Sequence, residues 1–387
     1  MKVCLVTAEY APQQGGVGDY TRELAAALRQ RGVEAIVLTG GSAASEDASS
    51  PVPVQRRIGR WGWRLWGDLE RALRLLAPDV VHIQYQAAAY GLHPAINLWP
   101  RFSPWRRATV VTFHDLKVPY LFPKAGPLRF RAVLELARAA ARAIVTNAED
   151  QVTLTPFLRR PPMLIPIGSN IHPQPPPGYD RSAWRAAAGA GEGSIVLAYF
   201  GFLNESKGGE ELIRALALLR QRGHDVRLWF VGGQVGHSDP TNRAYLARVQ
   251  ALIRELGLEP YVRWTGFTAP EEVSANLLAA DLCALPYRDG VSFRRGSLMA
   301  ALAHGLPVVS TSPRVPLPEL IDGENMALVP PGDAEALASR IAAFIAEPPA
   351  RARLARGALA LSARFDWGPI AARTEEVYDE VLRSPQR

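Results

Sequence analysis

On either side of a proline-rich break, His172-Pro173-Gln174-Pro175-Pro176-Pro177-Gly178, the chain repeats one pattern. A short apolar, β-branched run is followed by a glycine or polar turn and then by a longer segment with helical spacing. Before the break, strands are expected at Val3–Ala8, Ala35–Thr39, Asp79–Gln84, Thr109–Phe113, Ala143–Asn147 and Met163–Ile167, with helices at Tyr20–Arg31, Leu65–Leu76 and Leu128–Ala143. After it come strands at Ile195–Phe200, Val226–Val231, Val262–Thr265, Asp281–Leu285 and Ala327–Val329, and helices at Gly209–Arg222, Thr241–Leu256, Pro270–Ala279 and Ala334–Ala346. Alternation of this kind specifies parallel sheets covered by helices on both faces, and 387 residues leave room for two such cores. The expected fold class is α/β, two Rossmann-like doubly wound domains facing a cleft. The expected limits are 1–172 for the first domain, 173–194 for a linker and 195–364 for the second. Ligands of such sheets bind beyond the carboxyl ends of the strands.

The stretch Asp289–Ser310 carries the clearest chemistry. Gly290 and Gly296 bracket Arg294 and Arg295, and Ser297 stands where a helix N-cap is expected. Leu298-Met299-Ala300-Ala301-Leu302-Ala303 is apolar all round and so must be buried, and Gly305 ends it. Unpaired backbone N–H groups, a hydroxyl and two guanidinium groups at one helix start suit a phosphate or pyrophosphate. The other reading is a solvated basic turn beside a core helix.

Other strand ends are also informative. Gln14-Gly15-Gly16-Val17-Gly18 follows the first strand and allows close backbone approach to a ligand. It is not a dinucleotide fingerprint, because the second strand ends at Thr39 rather than at an acid. His114-Asp115 closes a strand, where the imidazole serves either a substrate hydroxyl or its own loop. Lys207, in Gly201-Phe202-Leu203-Asn204-Glu205-Ser206-Lys207-Gly208, sits at a helix start, where a cation opposes the helix dipole. Either an anionic ligand accounts for it or the lysine reaches out to solvent. Val231-Gly232-Gly233 ends another strand with room for a ligand.

Residues 1–178 hold 21 Lys+Arg against 13 Asp+Glu, and the remainder holds 23 against 24, so the excess basicity lies in the first half. That asymmetry fits an anionic substrate, a membrane surface or an inert solvated face. Arg56-Arg57-Ile58-Gly59-Arg60-Trp61-Gly62-Trp63-Arg64-Leu65-Trp66 concentrates both charge and tryptophan. Leu65, Leu69, Leu73 and Leu76 form a core seam, whereas the tryptophans and arginines leave interfacial docking on an anionic membrane open. Nucleic acid is not an expected partner, since no reading motif accompanies the charge. The N-terminus becomes polar too soon for a signal peptide, and Cys4 and Cys283 fall in strands of different halves. A cytoplasmic location, with membrane association as an extension of it, is expected.

These residues resemble a GT-B glycosyltransferase, and within that fold the retaining family 4 group, along nearly the whole chain. The resemblance rests on Gly15-Gly16, Phe113-His114-Asp115, Gly201 with Lys207-Gly208, Gly305-Leu306-Pro307-Val308-Val309, and Glu319 in P-L-P-E-L-I-D-G-E-N. It implies metal-independent, retaining transfer of a sugar from a nucleotide-diphosphate sugar to an acceptor, with no cofactor and no metal ligands. The first domain would bind the acceptor and the second the nucleotide-sugar. Residues 365–387, including a helix over Ile370–Leu382, would cross back to the first domain. His114 and Lys207 would be catalytic. The donor would meet Gly15, Gly16, Gly201, Phe202, Asn204, Lys207, Gly232, Gly233, Phe267, Ser292, Arg294, Arg295, Gly296, Ser297 and Leu298, and the acceptor Asp19 and Tyr85. The chain departs from the family at Phe202, where an arginine is usual, and at Ser292 and Ala300, where a glutamate pair is usual. Arg294 and Arg295 are expected to compensate as phosphate ligands. The alternative is an inactive GT-B domain that binds nucleotide or glycan as a regulator.

Overall fold

The computed structural model describes residues 1–13, 15–41, 52–116, 126–233 and 240–383. The chain divides into two units, Met1–Asn170 together with Asp366–Arg387, and Ile171–Phe365.

The first unit contains strands β1 (Lys2–Val6), β2 (Glu34–Gly40), β3 (Val54–Ile58), β4 (Val80–Gln86), β5 (Thr109–Asp115), β6 (Arg142–Val145) and β7 (Met163–Leu164). Its helices are α1 (Gly16–Gln30), α2 (Leu65–Leu76), α3 (Ala95–Phe102), α4 (Gly126–Ala139) and α5 (Ala148–Leu154). The strands form one parallel sheet in the order β3-β2-β1-β4-β5-β6-β7. Val3 pairs with Ala35 on one side and with Val80 on the other, so β1 is interior to the sheet and buried from Val3 to Val6. Alternate residues of each strand serve opposite faces. Val3, Leu5, Val80, Val110 and Ile144 pack against α1, while Cys4, Val6, Val81, Ile83, Val111 and Val145 pack against α2, α3 and α4.

The second unit opens with α6 (Arg181–Ala187), β8 (Ile195–Phe200), α7 (Gly209–Gln221), β9 (Val226–Val231), α8 (Pro240–Glu255) and β10 (Val262–Trp264). It continues with α9 (Pro270–Ala279), β11 (Leu282–Leu285), α10 (Gly296–Ala303), β12 (Val308–Thr311), β13 (Ala327–Val329), α11 (Ala334–Ala346) and α12 (Pro348–Ser362). The sheet order is β10-β9-β8-β11-β12-β13, again all parallel. Helix α6 falls inside the stretch expected to be a linker. Its N-cap is Asp180, whose carboxylate accepts from the Ala183 amide at 2.7 Å, and buried Arg185 ties it to Asp281 at 2.9 Å.

The final helix, α13 (Trp367–Arg383), belongs to the first unit. It buries Ile370, Ala371, Val377, Tyr378 and Val381 in the same cluster as Leu24 and Leu28 of α1. Each such large apolar side chain contributes roughly 1.5–3 kcal/mol when fully buried. Polar contacts fix its register: Tyr378 Oη lies 2.7 Å from His82 Nδ1, and Glu380 meets Arg142 at 3.1 Å. Burial pushes the His82 imidazole down to about 3, so it is neutral and shares its nitrogens between Tyr378 and Thr112.

Candidate active site

In the second unit, the ends of β8 and β11 and the start of α10 bring several expected site residues together. The loop after β8 turns at Gly201 (φ 108°) and closes at Gly208 (φ 69°). A Cβ on Gly208 would lie 1.9 Å from the Pro286 carbonyl oxygen, so only glycine lets this loop seat against the exit of β11. Arg288 clamps the same loop. Its amide donates to the Ser206 carbonyl at 2.8 Å, and its guanidinium reaches Glu205 (3.2 Å), Glu210 (2.9 Å) and Glu211 (2.7 Å). Within the loop, Asn204 Oδ1 accepts from Ser206 Oγ at 2.9 Å.

The outcome is a fixed position for Lys207. Its Nζ would be 3.3 Å from a Cβ on Gly201, and Ser297 Cβ would be 3.6 Å from the same point, so the three residues face one another. The ammonium makes no ion pair or hydrogen bond with a described residue. Burial pushes it down to about 7, the Arg295 guanidinium adds repulsion, and Asp289 opposes the shift. Lys207 is thus a half-buried cation whose nearest counter-charge, Asp289, is shared with Arg294 and Arg295.

Ser297 is not the N-cap of α10. That position belongs to Arg295, in extended conformation and with no capping side chain, and Ser297 is the second helical residue. The reason is local. The Ser297 hydroxyl is turned toward Tyr287 Oη, 2.8 Å away, rather than toward a backbone amide further along the helix. The amides of Gly296 and Ser297 meet no acceptor among the described residues. The helix itself is buried through Leu298, Met299, Ala300, Ala301 and Leu302, and the Leu298 amide already donates to the Arg295 carbonyl at 2.9 Å.

Arg294 and Arg295 are not aimed into bulk water. Their side chains are 8% and 14% exposed, and both donate to Asp289, Arg294 at 3.2 Å. The Arg295 guanidinium carbon lies 4.8 Å above the Tyr287 ring, while its Nε is buried without a hydrogen-bond partner. With Lys207, this makes three cations around one carboxylate, a site that stays positive after internal pairing. Ser292 is buried and its carbonyl accepts from the Arg295 amide at 3.2 Å, so it shapes the turn. Phe202 lies across Gly233, where a Cβ would come within 2.7 Å of its ring. Gly232 pairs with Gly266, and Phe267 beyond it is 66% exposed.

In the first unit, His114 ends β5 with Nε2 2.9 Å from Gln84 Oε1 and its ring edge-on to Tyr20 at 4.6 Å. Burial pushes it down to about 3, so it acts as a neutral imidazole. Tyr20 rests on Trp367 (5.3 Å), whose indole N–H donates to the Ser169 carbonyl at 2.7 Å. The glycine turn differs from expectation in one respect. Glu9 fills the space beside Gly15, where a Cβ would be 1.9 Å from its carboxyl, and accepts from the amides of Val17 (3.0 Å) and Gly18 (3.3 Å). Gly16 alone faces open space, and Gln14 lies outside the described residues. Burial raises the Glu9 carboxyl above the usual range. Asp19 is also raised by burial and accepts from Asn170 Nδ2 at 2.8 Å. Tyr85 is a core residue, 4% exposed, with its hydroxyl taken by Asn97 at 2.9 Å, and it leaves no surface for an acceptor. Its position on β4 points it to the α2–α4 face, opposite Gln84.

Cys4 and Cys283 are both free and buried, their thiols pushed up to about 12. Among the described residues no group of three or more His, Cys, Asp or Glu could hold a metal ion. No described helix is long and apolar enough to cross a membrane.

Two family models match the chain in tandem: "Glycosyltransferase Family 4" over residues 14–168 and "Glycosyl transferases group 1" over residues 194–347. Among curated relatives, D-inositol 3-phosphate glycosyltransferase of Corynebacterium diphtheriae is 26% identical, with 98% of this chain and 95% of the relative covered. Among solved structures, HepE of Anabaena in complex with UDP and glucose is 23% identical at a TM-score of 0.78, covering 98% of this chain and 100% of that one. Sucrose-phosphate synthase of Thermosynechococcus elongatus is 21% identical at 0.75, both chains being covered in full. With both halves matched by these models and the fold shared from end to end, the chain is a GT-B glycosyltransferase related to the group 1 and family 4 enzymes.

Proposed function

We propose that the chain transfers a hexose, with retention, from a nucleoside-diphosphate sugar whose diphosphate is held in the second unit at the start of α10. The observation that carries this reading is the unpartnered Lys207 ammonium, placed opposite bare Gly201 and beside Ser297 and Arg295. A diphosphate there would take hydrogen bonds from the Gly296 and Ser297 amides, whose donors have no other acceptor among the described residues. Lys207 and Arg295 would then offset the charge that grows on the leaving phosphate as the glycosidic bond breaks. Phe267, exposed beyond the Gly232–Gly266 bridge, offers a face for the base. In the first unit, neutral His114 serves a sugar hydroxyl, and open Gly16 allows close backbone approach.

HepE was solved with UDP, which makes UDP the first nucleotide to test. The acceptor docks on the first unit, and its basic character suits a phosphorylated acceptor or one carried at an anionic membrane surface. Calorimetry of UDP binding tests the donor site. Lys207→Ala should weaken affinity by about ten-fold or more, the usual scale for loss of a charge-assisted contact. Unchanged affinity would place the diphosphate elsewhere.

A further inference from the structure

We propose that the outer surface of α2 and α3 docks on an anionic lipid bilayer. This inference extends the proposed function but rests on different residues, all in the first unit. The charge of that unit is sharply divided. Residues 54–108, which hold α2 and α3, carry nine arginines against three acids; residues 1–41 carry four basic and four acidic residues; α13 carries two against four. The two sheet faces therefore differ, basic over α2 and α3 and neutral to acidic over α1 and α13.

Arg60, Arg64, Arg71, Arg74, Arg106 and Arg107 are exposed and form no ion pair among the described residues. Seven- and ten-residue spacing sets Arg64, Arg71 and Arg74 along the outer side of α2, opposite the buried stripe of Leu65, Leu69 and Leu73. An aromatic ridge begins at Trp63, next to Arg64 in the chain. Trp63 is 57% exposed and Phe102 65%, and Trp66 joins them at 5.9 and 5.4 Å. Leu75, further along α2, is also exposed.

Two features point to lipid rather than to a soluble polyanion. An acidic macromolecule would neutralise the arginines yet leave the Trp63–Phe102 ridge wet, whereas a bilayer interface takes the rings at headgroup depth and the guanidinium groups at the phosphates. The ridge is also anchored, because Trp66 Nε1 donates to the Ala95 carbonyl at 2.9 Å and Trp63 packs on His93 at 5.2 Å. Rigid aromatic groups insert at low entropic cost. Helix α2 has 12 residues, too short to span a bilayer, so it would lie in the interface plane.

The test is co-sedimentation of the full chain with vesicles of phosphatidylcholine alone and of phosphatidylcholine mixed with phosphatidylglycerol. Binding should require the anionic lipid and fall with added salt. Arg64→Glu with Arg71→Glu should lower partitioning by about 25-fold or more, from roughly five-fold per arginine lost. Trp63→Ala with Phe102→Ala should lower it several-fold and reduce quenching of tryptophan emission by brominated lipid. All four positions are exposed, so melting temperature and UDP affinity should be unchanged, which separates this outcome from failure of the donor site. Equal binding to both vesicle types, no binding, wild-type binding by the variants, or binding to heparin without binding to vesicles would each overturn the proposal.

Discussion

Tyr287 Oη and Ser297 Oγ lie 2.8 Å apart, joining the strand exit of β11 to the first turn of α10. The same ring carries the Arg295 guanidinium 4.8 Å above it. One buried side chain thus orients both a hydroxyl and a cation of the proposed diphosphate site. Tyr287→Phe keeps the ring and removes the bond. It should cost about 1 kcal/mol of stability in urea unfolding and weaken UDP binding by a few-fold. A stability loss with unchanged affinity would mean that Tyr287 only packs.

Lys207 should make donor binding depend on pH. Its ammonium sits at about 7 in the unliganded protein, and a bound diphosphate would raise it. Affinity should therefore be nearly flat below that pH and fall above it, by up to about ten-fold per unit. Binding near neutrality should also take up protons, read by calorimetry in buffers of different ionisation enthalpy. Lys207→Met should abolish both effects.

The same lysine bears on stability with the opposite sign. Unfolded, it would titrate near ~10.4, well above its folded value. Between the two, the unfolded chain binds more protons, so stability should rise as pH increases from about 7 toward 10. Lys207→Met should remove that slope and raise the melting temperature of the unliganded protein at neutral pH while weakening UDP binding. A lower melting temperature would show that the ammonium is partnered in solution.

Gly208→Ala should be among the more damaging single-methyl changes. It forces a non-glycine residue to φ 69° and drives a Cβ to 1.9 Å from Pro286 O. A loss of about 2 kcal/mol or more is expected from backbone strain and overlap together. UDP affinity should drop with it, since the loop carries Lys207. Denaturant unfolding and calorimetry on the same preparation check both.

His114→Ala should separate sugar from nucleotide. Its imidazole is neutral throughout the physiological range, so no limb of a pH–rate profile between pH ~5 and 8 should belong to it. If it holds a sugar hydroxyl, kcat/KM for the nucleotide-sugar should fall by about ten-fold or more while UDP affinity stays within two-fold. Equal losses in both would place His114 at the nucleotide or in the fold alone.

Much of the architecture could be read from apolar runs alone, because buried parallel strands such as Val226–Val231 and β1 admit few polar residues. Edge and surface elements were less visible. Strand β3 reads Val-Gln-Arg-Arg-Ile, and α3 contains Pro100, so neither gives a clear periodic signal. Within the site, Lys207, Arg294, Arg295 and Gly201 were accessible as residue types at strand and helix ends. Three details were not. The Glu9 carboxylate reaches the α1 amides from eight residues upstream, outside any local capping pattern. Tyr287 acts on Ser297 across a ten-residue turn, and only packing reveals it. Tyr85 is at a strand end like His114, but strand alternation sends it to the opposite face, into the core.

Helix α13 completes the apolar layer over α1 with Ile370, Val377, Tyr378 and Val381, although the whole second unit is encoded between them. A ribosome making this chain therefore releases β1 and α1 early and must add more than three hundred further residues before their last covering arrives. Until residue 381 emerges, Leu24 and Leu28 lack a flank that the mature protein gives them. The second unit has no such wait, so vectorial synthesis would finish the inserted half of this molecule before the half that began it.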